Sequence, residues 1–347
     1  MNKLEYLNKE LGTNYQSLDE VDWVDICENQ KLSENFIREF QDKVDWDYIS
    51  AYQKLSDEFI REFQNKIDWV NLCKYHKLSE DLIREFQNYI YWWNISQYQN
   101  LSQDFIREFK DKVKWDYISK FQRLTEDFIR EFKNKVDWID ISKYQKLSEA
   151  FIREFQDKVF WDYIAQYQVL SEDFIREFQD KVDWIDISKY QKLSEAFIIE
   201  FLHKVSLDMI TYHQKLSEEF RNKYHIKVDK EKIWLYKSAE EKKQAVMDTG
   251  MYECYDDYFI AYKAIREDRC SIYNRQYIYQ PGCTYSSHCD TTRDEDSFGL
   301  SAWTYEEACG WGGKHSKVVK VMIYYEDVGR IVHQSNKIRC FKLTVLE

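Results

Sequence analysis

Cys283, His288, Cys289, Cys309 and His315 gather soft and borderline metal ligands near one end of the chain. Zinc would suit such a set, because thiolate and imidazole are its preferred donors. The spacing argues otherwise. No C-x-x-C pair occurs, and the five residues between Cys283 and Cys289 are looser than a zinc knuckle. The expectation is of unligated thiols, with no metal and no cofactor. The other cysteines, Cys27, Cys73, Cys254, Cys270 and Cys340, add no paired spacing that reads as a disulfide framework, which favours a reduced, intracellular setting.

Two further columns could do chemistry. Arg38, Arg61, Arg84, Arg107, Arg130, Arg153 and Arg176 recur at one place until Ile199 breaks the row. A ladder of guanidinium groups could grip an acidic ligand. Against that, each Arg is followed by Glu and an Asp precedes most tryptophans, so ion pairs between neighbouring repeats explain the row; charge runs on repeat helices ordinarily serve solvation and stacking. Gln53, Gln99, Gln122, Gln145, Gln168, Gln191 and Gln214, interrupted by His76, admit the same two readings.

What positions these columns is a repeat. "VLSEDFIREFQDKVDW" ends at Trp184 and returns as "KLSDEFIREFQNKIDW" and "RLTEDFIREFKNKVDW". Tryptophan falls at 23, 46, 69, 92, 115, 138, 161 and 184, with Leu207 in the ninth place, a period of 23 without insertion or deletion. Such regularity predicts stacked units. Ser171, followed by Glu172 and Asp173, reads as an N-cap that opens a second helix, with Phe174, Ile175, Phe178 and Val182 on its buried face. Asp183 should cap the first helix of the next unit, which runs from Trp184 through Ile187 to Tyr190. Each repeat is then a hairpin of about ten residues per helix, too short to stand alone, and nine hairpins make an α-solenoid. Trp115 and Trp138, in mid-array, are expected to be mostly buried.

Past residue 230 the beat is lost. Seven of the eight Gly, the only Pro and six of the eight Cys lie from Gly250 onward. The expected division is an N-terminal cap over 1–20, the solenoid over 21–227, a linking helix over 228–249 and a small α+β domain over 250–347. In that domain "YFIAYKAI", "SIYNRQYIY", "FGLSAW", "SKVVKVMIYY", "GRIVHQ" and "KIRCFKLTVLE" read as strands, "PGCTYSSHCD" as a turn, and "TYEEACGW" as a helix capped by Thr304. An open solenoid end exposes apolar surface, so residues 228–260 should pack on the last hairpin and bury Leu216 and Phe220.

A net charge of −12 and a pI near 5.3 argue against nucleic acid or an anionic membrane as the partner. The opening "MNKLEYLNKELGTNYQ" is charged throughout, and no run of about eighteen apolar residues occurs, so a cytosolic protein is expected. Partner contacts are expected where the repeat fails: Asn29 for Tyr, Tyr91 and Trp93 flanking Trp92, Lys114 and Phe160 for Asp, Ile199 for Arg. Tyr91, Trp93 and Phe160 are apolar at otherwise polar positions, which suits either a protein contact or tighter packing.

The repeat, together with "YKAIR", "SFGLSAWTYEEA" and "KIRCFKLTVLE", resembles the 23-residue-repeat multigene proteins of mimivirus-like giant amoeba viruses, which carry an uncharacterised C-terminal viral domain. The resemblance covers essentially the whole chain. It implies a viral protein of the host cytoplasm or virion, without enzymatic activity, that acts as a protein-protein interaction scaffold for a host or viral protein. The order of "AYKAI", "FGLSAWTYEEA", "VVKVMIYY" and a final Glu347 is also similar to the layout of ADP-ribosyltransferase domains. That similarity implies an enzyme alternative in which Tyr262, Ser301 and Glu347 form the catalytic triad and the solenoid is a targeting module, although no His or Arg stands where Tyr262 does.

Overall fold

The structure, a computed structural model, describes residues 2–227, 234–272, 277–292, 297–312, 316–332, 334 and 336–347. The chain forms two compact units, Met1–Gln122 and Arg123–Glu347. In the first, helix Lys3–Leu11 is closed by a capping box between Asn2 and Glu5 and ends at Gly12, whose φ of 66° suits a residue without Cβ. Four hairpins follow, from Trp23–Asn29 with Glu34–Glu39 to Trp92–Tyr98 with Gln103–Glu108, and then helix Trp115–Phe121. The second unit opens with helix Glu126–Glu131. Four more hairpins follow, from Trp138–Tyr144 with Glu149–Glu154 to Leu207–His213 with Glu218–Lys223. The fold is an α-solenoid array followed by a small antiparallel sheet domain.

The helices are shorter than expected, seven residues for the first of each hairpin and six for the second. The capping signals hold. The Ser171 hydroxyl accepts from the Phe174 N–H, and the Asp183 carboxylate from the N–H groups of Ile185 and Asp186. The second helix stops at Phe178 and a tight turn carries the chain to Val182, whose N–H donates to the Phe178 carbonyl. So brief a helix cannot persist by propensity. Its stability comes from packing: Phe128, Ile129, Ile141, Phe151 and Ile152 have at most about 1% of their surface exposed, and successive first helices lie against one another within each unit.

The tryptophans depart from expectation. Trp115 and Trp138 are half-buried rather than core residues. The reason is the indole N–H, which needs a partner. It donates to a backbone carbonyl five residues upstream, Lys110 for Trp115 and Lys133 for Trp138, and so anchors the ring at the rim. One face lies on Phe155, with ring centroids 5.0 Å apart, and the Lys158 ammonium stands over the ring.

Both polar columns are structural. Arg130 Nε donates to Glu154 and its guanidinium lies over the Phe151 ring of the next hairpin; Arg153 treats Glu177 and Phe174 likewise. The glutamines are buried staples. Gln168 Nε2 donates to the carbonyls of Ser142 and Gln145 while its Oε1 accepts from the Leu147 N–H, three bonds of 2.8–3.0 Å to the preceding hairpin. Gln53, Gln99, Gln122, Gln191 and Gln214 repeat this arrangement.

The sheet domain has strands β1 Glu253–Cys254, β2 Tyr258–Arg266, β3 Thr284–Ser286, β4 Leu300–Trp303, β5 Ser316–Tyr324, β6 Val328–Val332, β7 Lys337–Cys340 and β8 Lys342–Val345. Every pairing is antiparallel, in the order β3-β8-β5-β2-β4-β7-β6, with β1 also on β2. The expected single strand "KIRCFKLTVLE" is broken at Phe341, which sends β7 to one side of the sheet and β8 to the other. Four inter-strand steps would span about 19 Å if flat, yet two residues reach at most about 7 Å. The sheet therefore curls around its core of Phe259, Ala261, Val319, Val321, Ile338 and Leu343. The described part of "SIYNRQYIY" makes isolated bridges at Ser271 and Ile278 rather than a named strand, and residues 273–276 lie outside the described residues. "PGCTYSSHCD" is more than a turn, since it contains β3. The helix after Thr304 spans Tyr305–Gly312.

The end of the array is covered as expected. Leu216 and Phe220 are buried. Residues 228–233 lie outside the description; beyond them come a single turn, Trp234–Tyr236, and helix Ala239–Met247, capped by Ser238 and Glu241. The Tyr236 hydroxyl accepts from the Leu216 N–H and donates to the Gln214 carbonyl. A further glutamine of the column would make both of these bonds, so one phenol replaces the missing staple.

Gln168→Ala should strand one N–H and two carbonyls and cost about 3–5 kcal/mol. Trp138→Ala should cost about 2 kcal/mol against about 4 for Phe151→Ala. Urea unfolding followed by circular dichroism separates these cases; equal losses for Trp138 and Phe151 would return the indole to the core.

Candidate functional site

Within the second unit the sheet domain meets the last hairpins through a polar seam. His213, on the final first helix, is buried with Nδ1 3.6 Å from Asp290 Oδ1. Asp290 also faces Arg339 of β7: the guanidinium Nη1 lies 3.7 Å from its carboxylate and donates to its carbonyl at 3.1 Å. Thr291 Oγ1 donates to the Tyr212 carbonyl, His288 Nε2 lies 3.3 Å from the Lys189 carbonyl, and Phe298 packs on the Tyr190 ring. Burial lowers His213 from 6.5 to about 4, outweighing the upward pull of Asp290. Burial opposes the Asp290 charge, but hydrogen bonds from Ser297 and Thr292 outweigh it and hold that carboxyl below its ordinary range.

Beside the seam is a cavity of ≈ 540 Å³. Gln166, Gln168 and Tyr190 of the hairpins wall one side, and Lys263, Trp303, Trp311 and Lys337 of the sheet domain the other. Lys263 stands in the core row of β2, where Phe259, Ala261 and Ile265 occupy the alternate positions. Its ammonium donates to the Ser301 carbonyl at 2.8 Å and lies over the rings of Tyr279, 5.0 Å, and Trp303, 5.5 Å. Burial pushes it down from 10.5 to about 8; Cys340 opposes the shift and the Lys337 ammonium adds to it. Lys337 opens β7 and its ammonium lies over Trp303 and Trp311, 5.7 and 6.0 Å from their centroids. Among the described residues lining the cavity there is no carboxylate.

Of the residues singled out in the sequence, Gln168, His288 and Ser301 border the cavity. Tyr262 pairs with Trp303 across β2 and β4, Ser301 lies two residues before Trp303 and borders the cavity, and Glu347 follows β8. In strand order β5 separates Glu347 from Tyr262, and β5 and β2 together separate it from Ser301. Tyr262 and Ser301 are therefore neighbours, and Glu347 is exposed and apart from both. Tyr91 and Trp93 are exposed in the first unit, and Phe160 is exposed in the second. All eight cysteines are thiols; Cys289 is buried, Cys283 and Cys309 are exposed, and His315 lies outside the description. Among the described residues no group of His, Cys, Asp and Glu is placed to hold a metal, and no helix is long and apolar enough to cross a membrane.

Comparison with protein-family models, curated proteins and solved structures finds no match for this chain. Lys263 and Lys337 escaped the sequence reading. The signal for Lys263 was present in "FIAYKAI", where strict alternation puts a lysine among the buried positions of an apolar strand. Lys337, the first residue of its strand, carried no such mark.

The seam should make stability depend on pH. Between 6.5 and about 4 the unfolded His213 binds a proton that the folded one refuses, so stability falls as pH drops through that window, by about 3 kcal/mol for this residue. His288, also lowered by burial, acts in the same direction. His213→Asn should remove the His213 share of the loss between pH 7 and pH 4. A pH profile unchanged by the substitution would show that His213 titrates normally in the fold.

Proposed function

We propose that this chain is a non-enzymatic interaction scaffold whose repeat array holds a protein partner. Tyr91 and Phe160 carry the reading. At the corresponding positions Asp22, Asp45, Asp68, Asp137 and Asp183 each accept backbone N–H bonds at a helix start. Tyr91, Lys114 and Phe160 supply no such bond, and each lost cap costs about 1 kcal/mol. Lys114 exchanges the cap for a solvated charge. Tyr91 and Phe160 exchange it for rings 49% and 45% exposed, and Trp93, two residues from Tyr91, is 40% exposed. Exposed aromatic rings held on rigid helices are the material of interface anchors. Packing does not account for rings left open to solvent.

The likeness to giant-virus repeat proteins directs the search for the partner to host cytoplasm and virion fractions; viral origin is part of this proposal. The test uses the parent chain and a Tyr91→Asp, Trp93→Asp, Phe160→Asp variant as affinity baits in extracts of infected amoebae. Restored caps at positions 91 and 160 should raise stability by about 1 kcal/mol each, read by urea unfolding, while a partner held by the parent is lost. Retention of the same partners by a variant that has gained stability would defeat the reading.

A further inference from the structure

One face of the second unit repeats a pairing that hairpin packing does not need. The residues before and after the tryptophan are Asp137 and Ile139 in one hairpin, Phe160 and Asp162 in the next, Asp183 and Ile185 in the third. Each hairpin thus carries one carboxylate and one apolar side chain, and the two exchange places from hairpin to hairpin. Leu207 and Asp208 continue the face in the ninth repeat. Ile139, Phe160, Ile185 and Leu207 are 42%, 45%, 57% and 41% exposed. The glutamine staples tie each hairpin to the one 23 residues earlier, and successive first helices lie side by side. These residues therefore stand in two rows, one on either side of the tryptophans. The rows are fixed in place: the Phe160 N–H donates to Ser142 Oγ and the Ser206 N–H to Ser188 Oγ, both at 3.0 Å.

The charge of this face is not answered from within the chain. Lys158, Lys181 and Lys204 lie over Trp138, Trp161 and Trp184, and Lys181 and Lys204 also pair with Asp157 and Asp180. Among the described residues Asp162, Asp183 and Asp208 form no ion pair. Asp186, three residues after Asp183, has its pKa raised chiefly by burial; a hydrogen bond from Gln166 opposes the shift, and the charges of Asp183 and Asp162 add to it.

Apolar side chains set among carboxylates complement a surface that is itself apolar and cationic. A second copy of this chain, also at −12, would bring more charge of the same sign. Helices packed side by side lie about 8–10 Å apart, and two turns of an α-helix advance about 11 Å. A helix laid across the rows therefore meets a new hairpin about every seven residues, always with the same face. We propose that this face of the second unit binds a cationic amphipathic helix of another protein, its apolar side chains on Ile139, Phe160, Ile185 and Leu207 and its Lys or Arg beside the intervening aspartates. The inference rests on the scaffold reading above and gives the partner its chemistry.

The test is fluorescence-anisotropy titration of the full chain into a labelled peptide of about 21 residues, leucine and lysine arranged as an amphipathic helix. Its comparisons are a leucine and glutamate peptide of the same pattern and a leucine and lysine peptide in scrambled order. The cationic helix should bind at least ten times more tightly than either, and salt should weaken it. Ile139→Ser with Ile185→Ser should lower its affinity at least tenfold. So should Asp162→Asn with Asp183→Asn, where asparagine keeps the cap. Asp42→Asn with Asp81→Asn, the same change of charge at positions 89% and 91% exposed in the first unit, should leave affinity within twofold. All of these positions are exposed, and urea unfolding checks that each variant folds. None is Tyr91, Trp93 or Phe160, so a parent that captures its partner from extracts but ignores the cationic helix keeps the scaffold reading and loses this one. The inference is also overturned if the first-unit exchange weakens binding as much as the second-unit exchanges, or if the parent is a dimer that Ile139→Ser with Ile185→Ser dissociates.

Discussion

The array depends on one side chain doing two opposite things at once. A primary amide carries an acceptor oxygen and two donor hydrogens on a planar frame, and at Gln53, Gln99, Gln122, Gln168, Gln191 and Gln214 it answers one free N–H and two free carbonyls of the hairpin before it, the row being interrupted at His76. Helices of six and seven residues leave most of their backbone groups without an intrahelical partner. An array of such helices is possible only if those groups are met by something fixed in space. Carboxylate could not replace the amide, having no donor, nor lysine, having no acceptor. The staple also fixes the period: an added or lost residue would pull Gln168 away from Leu147, Ser142 and Gln145 together.

Termination is then a chemical problem more than a matter of covering apolar surface. The last hairpin leaves the Leu216 N–H and the Gln214 carbonyl waiting for an amide that never arrives. A tyrosine hydroxyl, both donor and acceptor, answers both. Leu216 and Phe220 are buried beside this contact. The second tie is the buried set of His213, Asp290 and Arg339. Burial keeps His213 neutral against the upward pull of Asp290, whose carboxylate also faces the Arg339 guanidinium. Sheet domain and final hairpins are thus joined by directional polar groups, which fix orientation where an apolar seam would allow sliding.

The repeat was legible because its signals are local and redundant: a Ser or Asp cap and an apolar pair are each readable within a few residues, and the period confirms them. The tryptophans misled because a large aromatic at a regular interval looks like core, whereas an indole must also place its N–H, and the nearest free carbonyl, that of Lys133 for Trp138, lies at the rim. The sheet domain was less legible where topology decided the outcome. Nothing within "KIRCFKLTVLE" tells that Phe341 divides two strands with β4, β2 and β5 between them; only the curl of the whole sheet does. The cavity was hidden for the same reason. Lys263 and Lys337 come from strands separated by β4 in the sheet order, and no spacing in sequence brings them together.

The two places where this chain departs from its own rules have a common physical form. Tyr91 and Phe160 give up a capping bond that five equivalent positions make, and Lys263 puts an ammonium where its strand calls for a hydrocarbon. Neither departure improves the folded monomer. Lost caps lower helix stability, and burial of Lys263 shows itself in the pull of its pKa toward neutrality. A structure otherwise consistent from caps to core concentrates such local losses where something outside the chain offsets them.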